Sequence, residues 1–415
     1  MPISKAPKNT ASDLSSRINS LIPRMIELRH DLHAHPQLAY QETYASEVVQ
    51  RELKAAGIPF TAGLAETGVV GVIRCDHHDP AAKAIALRAD MDALPITEAT
   101  GLPYASKTPG LMHACGHDGH TAALLGTAHA LADLAREHPE ALPRPIKLIF
   151  QPAEEAGAGA QRMVEAGVLT EAVGGCAVES IFGLHGWTDT DIGQLRTLPG
   201  PMMAATLSFR ITITGQGGHA ASPHKARDPI PAAAATVTAL QTIVSRSTQP
   251  TRPAVVTVAT LHAGEGAVNV IPHTATLSGT ARTFDLAERE RIGQRIAEIA
   301  RHTAAAHGCT AELQTLDGYP PTINDPAATD TMLRVARLAL GDANVALMDD
   351  PVMGAEDFSF YAQQVPACFA FVGVKPPEKS DYPSLHTPEY DYADGTLTVS
   401  MKVLCALAMH DLAVN

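Results

Sequence analysis

The chain has 415 residues, 45% of them apolar and 18% charged, and carries a formal charge of 31 − 44 = −13. That length exceeds what one hydrophobic core ordinarily holds, so two domains are expected. The negative balance argues against nucleic acid and against an anionic membrane surface as partners, because both are bound through clustered Lys and Arg.

In chain order, the polar start MPISKAPKNTASDLSS lacks the apolar stretch of a signal peptide. Two helices are predicted over 13–57, the second closing near Gly57, a C-cap residue. Strands follow at 68–74 and 84–89. A long helix runs from near Gly119 to about Ala135. Next come a strand at Ile146–Gln151 and a short one at Ser180–Leu184. Strands alternating with helices imply a largely parallel α/β sheet. The stretch 203–316 reads differently: strand 206–214, helix 228–246, strands 254–263 and 274–284, helix 287–307, strand 310–316. That β-α-β-β-α-β order is the split βαβ unit of ferredoxin-like domains. Helix 326–340, strand 367–374 and a last helix 394–412 return to the α/β pattern. The expected organisation is a discontinuous larger domain, 1–202 and 317–415, with a smaller α+β domain inserted at 203–316. No run approaches the roughly 18–20 apolar residues of a membrane helix. Six scattered cysteines without a CxxC pair read as reduced thiols of a cytoplasmic protein.

Ligand-type residues concentrate in a few stretches. In LRADMDALP, Asp90 and Asp92 fall just past a predicted strand, where alternate side chains point the same way; alone, such a pair is usually a turn former. In HACGHDGH, three His, one Cys and one Asp occupy eight residues at a helix start. Cys115 and His117 can reach one ion there, and a helix N-terminus favours a thiolate. The bland alternative is a capping turn. In FQPAEEAG, Glu154 and Glu155 follow a buried-looking strand, at the end of a parallel sheet where ligands bind. One can hold metal while the other handles protons. His185 ends a strand, and His386 lies in a later loop. Together these exceed the three or four ligands of one zinc site and point to two ions sharing a bridge, which activate a water and polarise a carbonyl.

These residues resemble a known family, the metallopeptidases that include aminoacylase, carboxypeptidase G and succinyl-diaminopimelate desuccinylase. Within it the chain is most similar to the branch of hippurate hydrolases, bacterial N-acyl-amino-acid amidohydrolases and plant auxin-conjugate hydrolases. The likeness runs from about Arg29 to His386 through RHDLHAHPQLAYQE, LRADMDALPI, MHACGHDGHTA, FQPAEE, GLHGW, GQGGHAASPH, VNVIPHTATLSGTARTF, GAEDFSF and LHTPEYD.

The resemblance implies a mixed-sheet, zinc-exopeptidase-like α/β catalytic domain carrying an inserted ferredoxin-like α+β lid and dimerisation domain. It implies that Cys115, His117, Glu155, His185 and His386 ligate two divalent ions (Zn, Mn, Co or Ni), with Cys115 bridging. Glu154 would be the general base, and Asp92 would orient a ligand from behind. His219 would steady the oxyanion, reaching the partner subunit's site. Asn269 and Arg282 would bind substrate, Arg282 through its carboxylate. Read without the resemblance, these last three are a Gly-rich turn, a loop start and a strand residue. The implied reaction is hydrolysis of N-acyl-L-amino acids in a homodimer or higher homo-oligomer joined through the lid. Dipeptidase or N-acetyl-diaminopimelate deacetylase activity, and a non-catalytic binding relative, stand as alternatives. Other branches have an H-x-D motif where this chain has Asp90-Met91-Asp92, and an Asp bridge where it has Cys115, which leaves the metal open. Trp187 could wall an acyl pocket or merely pack; Met202 and Met203 could line one or fill a hinge.

Overall fold

The computed structural model describes residues 8–409; the start of the chain, MPISKAP, and residues 410–412 of the expected last helix lie outside the described residues. The chain divides into two compact units. One comprises the chain up to Gly200, Ile323–Asp350 and the chain from Asp357; the other comprises Pro201–Thr322 and Pro351–Glu356.

The first unit begins with helices α1 (Lys8–Ala34) and α2 (Thr43–Ala55). Strands β1 (Phe60–Leu64), β2 (Gly68–Ile73) and β3 (Ala84–Asp90) follow. Helix α3 spans His117–Glu137, and β4 (Ile146–Gln151), β5 (Val178–Asp191) and β6 (Leu195–Thr197) come next. In the second unit lie β7 (Ala205–Thr214), α4 (Pro229–Leu240), β8 (Ala254–Ala263), β9 (Thr274–Thr283), α5 (Leu286–Ala306) and β10 (Thr310–Asp317). The chain then re-enters the first unit with α6 (Pro326–Leu340), β11 (Val345–Leu347), β12 (Ala367–Lys375) and α7 (Gly395–Met409).

The larger unit holds a mixed sheet of eight strands among the described residues, ordered β1-β2-β4-β3-β5-β12-β6-β11. Its centre, β4-β3-β5-β12, is parallel, and β2 and β6 run antiparallel to it. Parallel strands are covered on both faces and read as unbroken apolar runs. β3 (AIALRAD) and β4 (IKLIFQ) are accordingly buried at every residue. The parallel arrangement brings the carboxyl ends of β3, β4 and β5 to one edge. The segments after β3 and β4 carry Asp92, Glu154 and Glu155, and the middle of β5 carries His185.

The smaller unit is a four-stranded antiparallel sheet, β8-β9-β7-β10, the strand order of a ferredoxin-like fold. β7 (ATLSFRITIT) alternates buried with more exposed residues, as a half-covered antiparallel strand should. Its buried face packs with Ile292, Ile296 and Ala300 of α5 and Ala232 and Leu240 of α4.

Three elements differ from expectation. β5 is 14 residues long, far beyond Ser180–Leu184, because β12 pairs with it from Ala367↔Ile181 onward past His185. The helix expected over 228–246 ends at Leu240 and loosens into a π-turn at Ile243–Ser247. β1 was not expected: it is a nearly fully exposed edge strand and carries no alternation to read.

Candidate metal centre

The turn into α3 places the first donors. Gly116 stands at its N-cap with φ 90°, a left-handed conformation that side chains resist. A Cβ there would lie 2.7 Å from the Tyr390 hydroxyl, and one on Gly119 would lie 2.3 Å from the Tyr392 ring. These glycines let α3 seat against the two tyrosines, with Cys115 and His117 on either side of the bend.

The structure brings the five expected ligands together. Cys115 Sγ lies 3.3 Å from His185 Nε2 and 3.4 Å from His386 Nε2. Glu155 Oε1 is 3.2 Å from His386 Nε2 and 3.9 Å from His117 Nε2. Two of the rings are oriented from behind. His117 Nδ1 donates to the Asp92 carbonyl (2.9 Å) and His185 Nδ1 to the Gly186 carbonyl (2.8 Å). A carbonyl oxygen only accepts, so in both rings Nε2 faces the cluster. Such outer contacts fix ring orientation at metal sites.

Asp92 ties the base-bearing loop down. Its Oδ1 accepts the Glu154 N–H (3.0 Å) and its Oδ2 the Glu155 N–H (2.9 Å), while Oδ1 also lies 3.3 Å from His117 Nδ1. Glu154 is buried, and its Oε1 accepts the Asp357 N–H at 3.4 Å. The loop is bent hard: Ala153 and Ala158 have φ near 56° and 55°, and His386 has φ 63°. The Ala153 N–H goes to Glu42 Oε1 and the His386 N–H to the Ala114 carbonyl.

Electrostatics show what the cluster wants. Burial, then Glu155, Glu154 and Asp90, push the Cys115 thiol well above its usual range. This reverses the expectation of a helix-stabilised thiolate: here burial and three carboxylates outweigh the dipole. Burial opposes a charge on His117, yet Asp90, Asp92 and Glu155 overcome it and push the ring up to about 10. His185 is held well below its ordinary value by burial and by the neighbouring His120. His117 Nε2 and Glu155 Oε1 are buried without a hydrogen-bond partner. Crowded acids, a thiol and imidazole nitrogens with unclaimed donor atoms fit divalent cations, which would make the thiol a thiolate. Two overlapping triads, Cys115–His117–His185 and Cys115–Glu155–His386, share Cys115.

Several residues beneath this layer went unread in the sequence. His120 donates from Nδ1 to Asp90 Oδ1 (2.7 Å) and accepts the Gly186 N–H at Nε2 (2.9 Å). Asp90 also holds Arg88 (2.6 Å). Arg88 reaches Gln151 (2.8 Å) and Asp357 (3.0 Å), and Asp357 takes the Gln151 amide and the Ala160 N–H. Asp90 therefore faces His117 Nε2 only at 3.7 Å and is otherwise committed to this chain of contacts. On another side, Asp118 binds His33 Nδ1 (2.9 Å) and Arg29 (3.3 Å), and Glu98 sits 3.4 Å from His33 Nε2. In the sequence Asp90 reads only as one of a pair past a strand; the signal for most of the others lies only in their membership of RHDLHAHPQLAYQE, LRADMDALPI, HACGHDGH, FQPAEE and GAEDFSF, and Glu98 lies in none of these segments.

His219, Asn269 and Arg282 lie in the smaller unit. His219 pairs with Val270 on a short ribbon, and the Ala220 N–H goes to the Asn269 carbonyl. His219 Nδ1 accepts the Ala221 N–H at 3.0 Å, which leaves the ring proton on Nε2. Arg282, on β9, is half-buried with no carboxylate partner among the described residues, and burial lowers its pKa. Trp187 stacks on Phe371 at 4.0 Å and 15°, so it packs. Met202 and Met203 are buried too.

A family model described as peptidase family M20/M25/M40 matches residues 86–410. The chain is 39% identical over 410 residues to an IAA-amino acid hydrolase ILR1-like 4 of Arabidopsis thaliana, covering 96% of this chain and 90% of that protein. It is 41% identical over 358 residues to an N-acetyl-L-cysteine deacetylase of Bacillus subtilis, covering 86% and 82%. Among solved structures, a Bacillus subtilis protein described as a dinuclear metal binding peptidase of the M20 family superposes with a TM-score of 0.78 at 34% identity, covering 94% of this chain and 98% of that one.

Proposed function

The chain belongs to peptidase family M20/M25/M40 and is a metal-dependent amidohydrolase, and from that premise we propose that it cleaves the amide bond of N-acyl-L-amino acids to a carboxylate and a free amino acid. The observation that carries the reading is the pairing of Glu154 with the five-ligand cluster: a carboxylate anchored through its own backbone to Asp92, next to the ligand Glu155.

Cys115, His117, Glu155, His185 and His386 would hold two divalent ions, which, when bound, supply Lewis-acid polarisation of the scissile carbonyl and acidify the attacking water. Glu154 accepts the water's proton on its carboxylate and returns it to the amide nitrogen as the C–N bond breaks, so the amine leaves neutral. The Asp357 N–H steadies Glu154 Oε1 during that transfer. In the smaller unit, the His219 tautomer leaves an Nε2–H to donate to the oxyanion in the partner subunit's site. Arg282, half-buried and without a counter-ion among the described residues, suits the carboxylate of an amino-acid substrate, with Asn269 as a further substrate contact. The smaller unit serves as lid and dimerisation domain. β8 is an edge strand with Leu261 44% exposed, a route for strand pairing between two copies.

We place the protein in the cytoplasm: all six cysteines are buried and unpaired, and among the described residues no helix is long and apolar enough to cross a membrane. The alternative of a peptidase draws on the similarity to thermostable carboxypeptidase 1 of Saccharolobus solfataricus (34% identity over 400 residues, 95% of this chain and 97% of that protein). The test is a panel of N-acetyl, N-benzoyl (hippurate), long-acyl and indole-acetyl amino acids beside dipeptides, with Zn, Mn, Co or Ni supplied in turn. Chelator-sensitive release of free amino acid from acyl substrates is expected. Faster cleavage of dipeptides would replace the acylase reading with the peptidase one, and no cleavage of any substrate with any ion would overturn both.

A further inference from the structure

Glu154 and Glu155 lie in a bend whose backbone is unfavourable without support. Ala153, just before them, has φ 56°, a left-handed conformation that a residue with a Cβ resists. The Ala153 carbonyl accepts the Gly159 N–H at 3.0 Å, which closes the bend. The residues flanking the two carboxylates are gripped from a distant part of the chain, the connection between α1 and α2, which supplies none of the candidate ligands.

On one flank, Glu42 is buried and its Oε1 accepts the Ala153 N–H at 2.8 Å. The same oxygen accepts the Tyr40 N–H at 3.0 Å, and Oε2 accepts the Thr67 hydroxyl at 2.7 Å. On the other flank, the Tyr40 hydroxyl donates to the Gly157 carbonyl at 2.5 Å. A Cβ on Gly157 would stand 2.5 Å from the Tyr40 ring, so only a glycine lets the ring lie against the chain here. The Arg162 guanidinium covers that ring at 4.1 Å from its centroid and pairs with Glu66 at 2.7 Å, which restrains the ring. The bond from the Tyr40 N–H to Glu42 ties the two gripping residues to each other. The connection also reaches the loop after β3, where the Gln37 carbonyl accepts the N–H of Ala93, the neighbour of Asp92, at 2.9 Å. One short stretch, 37–42, therefore holds main-chain atoms of both loops that carry Asp92, Glu154 and Glu155.

We propose that Tyr40 and Glu42 are positioning residues for hydrolysis: they grip the loop at Gly157 and Ala153, on either side of Glu154 and Glu155, and so fix where the Glu154 carboxylate meets the attacking water. The role rests on the reading of Glu154 as the base. A base must stand within hydrogen-bond reach of the proton it takes, and a misplacement of about 1 Å costs on the order of a hundredfold.

The experiment compares Tyr40→Phe, Glu42→Ala, Glu42→Gln and Glu154→Gln as full-length, metal-saturated enzymes, with bound metal and thermal midpoint measured beside kcat and KM. Tyr40→Phe keeps the ring and removes one hydrogen bond. Its kcat should fall about 2–13-fold with KM and metal content unchanged. Glu42→Ala leaves the buried Ala153 N–H without its acceptor and should lose on the order of ten- to a hundredfold. Glu42→Gln should recover most of that loss, because its amide oxygen accepts both N–H groups while its NH2 turns to the Thr67 oxygen. Placed in Glu154→Gln, Tyr40→Phe should lower the residual rate no further, since it acts through the base. A repeat of the full Tyr40→Phe loss in that background would overturn the proposal. So would a wild-type kcat in Tyr40→Phe, which is the deciding variant if Glu42→Ala does not fold; a Glu154→Gln loss beside it would leave the base reading standing. A wild-type rate in Glu154→Gln would remove the base itself, and the positioning role with it.

Discussion

Replacing Asp92 by Asn removes one acceptor and no volume, and it isolates what the loop under the metal centre contributes. The carboxylate uses one oxygen for each of two backbone N–H groups, at 3.0 Å and 2.9 Å. Asn offers one oxygen and one NH2 group. Whichever way the amide turns, one of the Glu154 and Glu155 N–H groups faces another donor. Leaving such a buried donor unsatisfied costs about 1–3 kcal/mol, which corresponds to roughly 5–150-fold in an equilibrium or a rate. The Asp92 backbone carbonyl still orients His117, so this ligand stays in place. The loss should divide between Glu155, read as weaker metal affinity, and Glu154, read as lower kcat. The assay is kcat against added metal ion, with bound metal measured in parallel. At saturating metal Asp92→Asn should recover occupancy yet stay about tenfold or more below wild-type kcat. Recovery of full kcat together with occupancy would refute the claim that Asp92 positions the base, and an unchanged metal affinity would refute its hold on Glu155.

The other expectations are narrower. Glu154→Gln should retain metal and lose on the order of 10²–10⁴-fold in kcat; a wild-type rate with metal bound would remove Glu154 from the proton-transfer role. EDTA treatment should abolish hydrolysis and lower the thermal midpoint, because it leaves buried carboxylates, the thiol and imidazoles facing one another; an unchanged midpoint would mean that the cluster is not ion-stabilised. His33 lies between Asp118 and Glu98, which overcome burial and push its pKa up to about 9. The raised value means that its stabilising contribution, of order 3 kcal/mol, is fully present below about pH 6.5 and fades as pH rises through about 9. An imidazole resonance titrating near or below pH 7 would contradict this.

How far the sequence could be read depended on whether its signals were local. α6 and β4 fall on the predicted residues. Asp325 caps α6 by accepting from Ala327 and Ala328 with Pro326 at the first position, a pattern contained in four residues. β5 outran its prediction because HGWTDTD carries no strand pattern of its own and is held by β12. The candidate ligands could be picked out because metal-ligand side chains crowd into short segments near strand ends. The layer beneath was not: Arg88 meets Asp357 across 269 residues, and Gln151 meets it across 206. In isolation each is an ordinary polar residue, and only the folded chain makes them neighbours.

The left-handed backbone at Ala153, Ala158 and His386 bears on how this centre can be changed. Each non-glycine residue held there costs roughly 1–2 kcal/mol, and none of the three has the side-chain freedom that would make the conformation comfortable. A glycine at 386 would relax the chain while deleting one of the five candidate ligands, so the more durable protein would be the less competent one. Screens that select for heat resistance alone should therefore drift toward small, flexible residues around the centre and silence it, whereas screens that demand turnover should keep the tension in place.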